Sequence, residues 1–210
     1  MASIVLLISV FSFLNRSTTY STSNGEQLVI VLPDASEVTL NPNSKLSFKK
    51  RNWDTNRNLQ FNGEAYFKVE KGSTFEVVTT LGTVNVLGTQ FNVNTKESIF
   101  IVKCFEGKVR VNTATHGRIL VKGQAFKQFT DATAEDFIAT QEKLTWTKGE
   151  TAFNNASLSK VIKAIEEQYG ITIDASKINS NQKITGSYTN SNLEVALQTV
   201  FVTLKIKTII

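Results

Sequence analysis

The chain has 210 residues, long enough for one large domain or two small ones, and two is the expectation. Its 41% hydrophobic and 20% charged residues exclude a disordered chain and a polytopic membrane protein. The net charge of +5 is scattered among acidic residues, with Lys49, Lys50 and Arg51 as the one dense run, which argues against a nucleic-acid partner. A phosphate-binding surface needs clustered positive charge, with interleaved aromatics for single strands.

Residues 2–14, ASIVLLISVFSFL, form an uncharged apolar run. A transmembrane helix needs ~20 such residues. A signal-peptide core would follow Lys or Arg and precede a small-x-small cleavage site. Residues 1–14 therefore read as part of a membrane anchor, the second half of a longer helix, and residues 15–25 as a polar tether leading away from the bilayer.

Strands are expected over residues 28–32, 38–40 and 46–48, separated by turns at Pro33-Asp34 and Asn41-Pro42-Asn43. Residues 49–58, KKRNWDTNRN, read as a long exposed loop in which Trp53 is a packing anchor or a partner contact. Leu59, Phe61, Ala65, Phe67 and Val69 then share one parity, the period-two signature of a half-buried strand. Val84 and Val86 have the opposite parity to Phe91 and Val93, so a bulge or corner must fall near Leu87, Gly88 and Thr89. Residues 99–105 are apolar on both parities apart from Lys103, as in a strand covered on both faces. Glu106-Gly107 turns the chain into KVRV, and a polar loop holding His116 leads to Ile119, Leu120 and Val121. Residues 26–129 thus read as an all-β domain, a β-roll or solenoid-like stack.

Residues 130–145 are polar and acidic at first and read as a linker with a short helix. Beyond it the period changes to about 3.6. Leu158, Val161, Ile162, Ile165 and Tyr169 mark one helix face, which Gly170 can end. ITID and KITGSY follow as strands. A second helix carries Leu193, Ala196, Leu197, Val200 and Phe201, with Ser191 and Glu194 fitting a capping box, and LKIKTII closes as a strand. An offset of 35 matches Phe153 to Tyr188, Asn155 to Asn190, Leu158 to Leu193, Ile162 to Leu197 and Ile165 to Val200. Residues 146–210 are therefore expected to be a small α+β domain of two strand-helix-strand repeats.

Catalytic chemistry is sparse. One histidine and one cysteine cannot build a His/Cys metal site of the usual spacing, and no intrachain disulfide is possible. Cys104, inside IFIVKCF, reads as a small buried hydrophobe. There is no glycine-rich phosphate loop and no nucleophile elbow. Glu64 and Glu106, each beside a glycine, invite comparison with the carboxylate pair of glycoside hydrolysis, but turn residues are the plainer reading. No cofactor is expected, and an enzyme is disfavoured.

LPDASEVTLNPNSKLSF, FNGEAYFKV, VLGTQFNVN and FEGKVRV, in this order, resemble the successive signature segments of FecR-like periplasmic anti-sigma or sigma-regulator proteins. The signature positions are Gly63, Glu64, Ala65, Phe67, Gly88, Thr89, Phe91, Val93, Glu106 and Gly107. From Trp146 on, Gly149, Phe153, Asn155, Leu158, Val161 and Tyr169 resemble the C-terminal domain often appended to such proteins in Bacteroidetes-type bacteria, a domain similar to the secretin and TonB short N-terminal module. The resemblance implies an inner-membrane, single-pass signalling regulator with its bulk in the periplasm. Its implied partners are the signalling domain of a TonB-dependent outer-membrane transporter and an extracytoplasmic-function sigma factor. The cytoplasmic segment that holds the sigma factor in the family is not found here, and Ala35 stands where the family commonly has Gly. A free sheet edge could take a partner strand, and the candidates are Lys183, Ile184, Thr185, Gly186, Leu204, Lys205, Ile206 and Lys207. The alternative reading is a carbohydrate-binding or structural cell-envelope β-domain, with Trp53 stacking on a sugar.

Overall fold

The computed structural model describes residues 17–129, 133–139, 144–202, 204 and 206. The anchor expected over residues 1–14 lies outside them. The described residues fall into two compact units, one mainly from the chain before residue 142, the other from there onward with the short segments 23–27 and 41–43.

Alternating apolar residues give the first unit its strands, because a strand turns every second side chain to the same face. In chain order these are β1 (Ser17–Ser21), β2 (Leu28–Val31), β3 (Glu37–Leu40), β4 (Lys45–Lys49), β5 (Arg57–Asn62), β6 (Glu64–Lys68), β7 (Phe75–Val78), β8 (Thr83–Val86), β9 (Gln90–Asn94), β10 (Phe100–Glu106), β11 (Lys108–Asn112), β12 (Gly117–Val121), β13 (Gln124–Gln128) and β14 (Ala134–Ile138). They form two open sheets of seven strands, ordered β1-β4-β5-β7-β8-β11-β12 and β14-β13-β10-β9-β6-β3-β2. Each new strand is added at a growing edge, and the chain passes back and forth between the sheets. All pairs are antiparallel except β5 with β7, which flank the chain's one-strand excursion to the other sheet, β6. A solenoid stacks parallel strands coil on coil. The antiparallel hairpins correct that expectation: among the described residues there is no solenoid coil and no closed sheet.

The long alternating run over residues 59–69 is two strands in different sheets, β5 and β6, joined at Gly63. Parity survives the crossing because both sheets bury the face toward the other, so Leu59, Phe61, Ala65, Phe67 and Val69 all enter one core. Gly63 has φ +113°, and a Cβ there would lie 2.4–2.7 Å from Ser44, so only glycine fits the corner. Its polar groups are paired. The Gly63 N–H donates to Thr95 Oγ1 at 2.8 Å, its carbonyl accepts the Thr95 N–H at 2.7 Å, and the Glu64 N–H donates to Ser44 Oγ at 3.0 Å. The parity break at residues 87–89 is also a crossing, β8 to β9, and so is Glu106-Gly107, β10 to β11.

Five expectations are corrected here. Residues 17–21, read as tether, form β1, an edge strand paired with β4. Residues 134–138, read as linker, form β14, an edge strand of the other sheet, paired with β13. Both lack an apolar face because an edge strand can be held by backbone bonds to its neighbour. The loop over residues 49–58 is shorter than expected, since Arg57 and Asn58 begin β5. Trp53 is 2% exposed, packed edge-on against Phe48 at 5.0 Å and Phe75 at 5.9 Å, and offers no surface to a sugar. β10 is fully buried only through Phe100, Val102 and Cys104; Ile101, Lys103 and Phe105 are half-buried.

The second unit has β15 (Glu150–Ser157), α1 (Leu158–Tyr169), β16 (Lys183–Thr189) and α2 (Leu193–Leu197), which runs on into a π-helical turn, Gln198–Val202. The period of 3.6 is realised as read. Leu158, Val161, Ile162 and Ile165 of α1 are buried, and Gly170 ends the helix with φ 67°. Ala196, Leu197, Val200 and Phe201 face them in one core with Tyr188. The cap of α2 is Asn192, one residue beyond the expected Ser191: its Oδ1 accepts the Val195 N–H at 3.0 Å. Residues 171–174, expected as a strand, are not one. The Ile173 N–H donates to the Glu166 carboxylate at 2.7 Å, so it is not available to a ladder.

Candidate functional site

β15 and β16 pair only with each other among the described residues, a two-stranded antiparallel sheet. Its register contains a bulge: Phe153 pairs with Gly186 and Ala156 with Ile184, leaving Asn154 and Asn155 opposite Thr185. Asn155 takes φ 49°, and its N–H donates to Thr185 Oγ1 at 2.9 Å. Beyond the bulge the ladder is regular. The Asn190 N–H donates to the Gly149 carbonyl at 2.8 Å, in phase with the pairs Thr151 with Tyr188 and Phe153 with Gly186. In an antiparallel ladder the hydrogen-bonded pairs alternate, so Tyr188 and Gly186 face β15 while Ser187 presents its N–H and carbonyl away from it. The core side of β16 is set by Tyr188, stacked on Phe153 with ring centroids 5.8 Å apart.

The expected partner-binding residues separate into two groups. Lys183, Ile184, Thr185 and Gly186 lie on β16; Lys183, Thr185 and Gly186 are exposed, and a Cβ on Gly186 would meet no atom within 4 Å. Leu204 and Ile206 are in no strand. Both their N–H groups donate to the Phe201 carbonyl, at 3.1 and 2.9 Å, and their side chains pack half-buried on the core. Together they close the end of the π turn, which corrects the expectation that they form a sheet edge. Lys205 and Lys207 lie outside the described residues.

The signature residues of the first unit meet across β6 and β9. Ala65 pairs with Val93 and Phe67 with Phe91, all four fully buried, and the two phenyl rings stack at 4.9 Å. Gly88 and Thr89 form the crossing before β9. Thr89 exchanges backbone bonds with Val69 at 3.0 and 3.2 Å, and its Oγ1 donates to the Lys108 carbonyl at 3.1 Å, beside Gly107. Glu64 and Glu106 do not converge. Register puts Glu64 beside Asn94 and Glu106 beside Gln90, two strands apart and four residues displaced, ~16 Å by strand geometry. Glycosidase carboxylates stand within roughly 5–9.5 Å of each other. Glu64 instead accepts from Asn92 Nδ2 at 3.1 Å and Glu106 from Gln90 Nε2 at 2.6 Å.

Sequence reasoning missed one polar centre, the pair Asp34–Arg57. Arg57 is 3% exposed; its Nη1 donates to Asp34 Oδ2 at 2.8 Å and to the Glu70 carbonyl at 2.9 Å, Nη2 donates to the Ser73 carbonyl, and the guanidinium lies over Phe75. Burial pushes the Asp34 carboxyl up, but Arg57 and the Ser36 hydroxyl and N–H outweigh it and hold it below its ordinary range. The signal was available: Arg57 has the inward parity of Leu59 and Phe61. Burial pushes the Cys104 thiol up to about 11, which makes it a poor nucleophile. Among the described residues no three His, Cys, Asp or Glu side chains could hold a metal ion.

Comparison with known proteins agrees with this division. The model for FecR protein matches residues 18–110 and that for the FecR C-terminal domain matches residues 150–210. No curated protein matches the chain. Two crystal structures of a protein from Parabacteroides distasonis, provisionally identified as an anti-sigma factor, are similar at 27% identity with a TM-score of 0.80. One covers 91% of this chain and the other 90%, each over 93% of its own length. With both models matched in order and a relative alike over nearly its whole length, the chain belongs to the FecR family and carries the FecR C-terminal domain.

Proposed function

We propose that this chain is the signal-receiving part of a membrane-anchored anti-sigma factor. It sits in the periplasm on an inner-membrane anchor to which the apolar run 2–14 contributes, and senses the signalling domain of a TonB-dependent outer-membrane transporter. It relays that contact to an extracytoplasmic-function sigma factor. The role is regulatory and not enzymatic, as in the family. Among the described residues no helix is long and apolar enough to cross a membrane; residues 2–14 lie outside that set.

The observation that carries the reading is the succession of the two FecR models on a chain whose C-terminal sheet has, among the described residues, an edge strand, β16, paired on one side only, with β15. Such an edge takes an incoming strand through backbone bonds, and side chains at alternate positions set the choice. The test is calorimetric titration against the signalling domain of the cognate transporter. Ser187→Pro removes an outward N–H without touching the ladder to β15, and should weaken binding at least tenfold while Ser187→Ala leaves it unchanged. Equal affinity of a folded Ser187→Pro chain would sink strand addition at β16. Failure of the unaltered chain to bind would sink the transporter reading itself.

A further inference from the structure

The four edge strands of the two large sheets are guarded unequally, and unguarded edges are where sheets take partners. β1 is polar throughout, STTYS. On β12 the Val121 N–H is occupied by Gln124 Oε1 at 3.0 Å. β14 carries Glu135 and Asp136, paired with Lys127 and Arg118, each at 3.1 Å. β2 has none of these devices. It is LVIV, without charge or proline, and Val29 and Val31 are 61% and 66% exposed.

The backbone of β2 has a definite phase. The Leu32 N–H donates to the Ser36 carbonyl at 2.8 Å, and the register pairs Ile30 with Val38 and Leu28 with Leu40. Residues 28, 30 and 32 therefore face β3, while Val29 and Val31 present N–H and carbonyl outward. Pro33, lacking an N–H, ends the outward row. Two outward residues on either side of Ile30 form a pattern that is complementary to itself in the antiparallel sense.

We propose that β2 pairs with β2 of a second copy of this chain, about a two-fold axis through Ile30. Val29 lies opposite Val31 of the second copy and the reverse, closing four backbone hydrogen bonds and bringing four exposed valines together. The arrangement is isologous and closes as a dimer, joining two seven-stranded sheets into one. A second copy fits better than an unlike protein because this edge has no charge with which to select one, and its own strand matches it in length, phase and apolarity. No charge conflict arises at the seam. Glu37, the neighbour of Val31 on β3, is held by Lys68 at 3.8 Å, and the two Glu37 side chains would stand ~16 Å apart, beyond a screening length of ~8 Å. This surface is distinct from the β16 strand, and the inference does not rest on the proposed function.

Disulfide cross-linking of the full chain tests the register. Val29→Cys and Val31→Cys are made separately, and oxidation of the equimolar mixture is compared with oxidation of each alone. Cys104, buried with its thiol pushed up to about 11, does not compete. The apolar run 2–14 is common to all samples, so any association it causes cancels in the comparison. The expected result is a dimer yield from the mixture at least fivefold above either variant alone, lost when Ile30's flanking valine in each chain is replaced by Lys. Equal yields in the three samples, or a yield indifferent to those lysines, would overturn the pairing.

Discussion

The two units reach a closed core by different means. In the first, two seven-stranded sheets share one aromatic-rich interior, and the crossings between them are pinned by buried polar groups, Ser44, Thr89, Thr95 and Arg57, the last paired with Asp34. In the second, a two-stranded sheet is covered by helix faces, and much of the apolar surface, including Phe153, Ile171, Ile173, Leu193 and Ile206, is only half-buried. A two-stranded sheet is marginal on its own, so its order depends on α1 and α2. The difference places rigidity in the first unit and dependence on helix packing in the second. Each unit also has its own buried tryptophan, Trp53 in the first and Trp146 in the second. With the other tryptophan replaced by Phe, fluorescence reads either unit alone.

The largest effect should come from Arg57→Ala, which leaves the half-buried Asp34 without its cation and orphans two backbone carbonyls. Losing the ion pair and both carbonyl contacts of the buried Arg57 together costs about 3–5 kcal/mol, seen as a lower urea midpoint for Trp53. The loss should depend on pH. Asp34 has its folded-state pKa lowered below the ordinary 3.8, so its contribution is present above that value and disappears as pH falls through the folded value. The gap between the original chain and Arg57→Ala should therefore narrow below pH ~4. A gap that stays constant into acid would show that packing over Phe75, and not the ion pair, makes Arg57 important, and would remove the polar seam from the comparison.

The second unit should be broken through its helix face. Ile165 is fully buried among Val161, Tyr188 and Phe201, and Ile165→Ala removes three carbons from a core with few layers. The expected loss is about 3 kcal/mol, read at Trp146. A loss below about 1 kcal/mol would mean that the loosely covered core collapses onto the gap, and that the unit is more plastic than its single sheet suggests.

How much of this was legible follows the same division. Period-two alternation located the inner strands, and the apolar face of α1 was readable to the residue, Leu158 to Gly170, because both patterns are local. Sheet membership was not: Gly63 changes sheet without changing parity, so one long strand and two crossed ones look alike in sequence. Ser17–Ser21 and Ala134–Ile138 carry no apolar rhythm, because an edge strand needs only a neighbour's backbone. Residues 171–174 have strand-like side chains, yet Glu166 takes the Ile173 amide, a contact seven residues back that propensity does not contain. Of the candidate site, Lys183 to Gly186 were placed on a strand correctly, but whether a strand lies at an edge depends on what fails to pair with it. Leu204 and Ile206 show the converse, where a strand-like pattern is drawn onto the Phe201 carbonyl instead.

The smallest effect sharpens the comparison from the opposite sign. Ala35, in the turn between β2 and β3, has φ 63°, and its N–H donates to the Leu32 carbonyl at 3.0 Å. An alanine held in the left-handed region bears roughly 1–2 kcal/mol of strain. Glycine removes that strain but gives the unfolded chain about 0.4–1 kcal/mol of extra freedom. Ala35→Gly should therefore stabilise the first unit by about 0.5–1 kcal/mol, as a rise in the Trp53 urea midpoint with unchanged slope. The first hairpin would then be a place where the rigid unit holds strain that its seams absorb, with Asp34 and Ser36 on either side fixing the turn regardless of residue 35. A lower midpoint would mean that the Asp34 and Ser36 contacts already relieve Ala35, and that the turn keeps its left-handed geometry without strain.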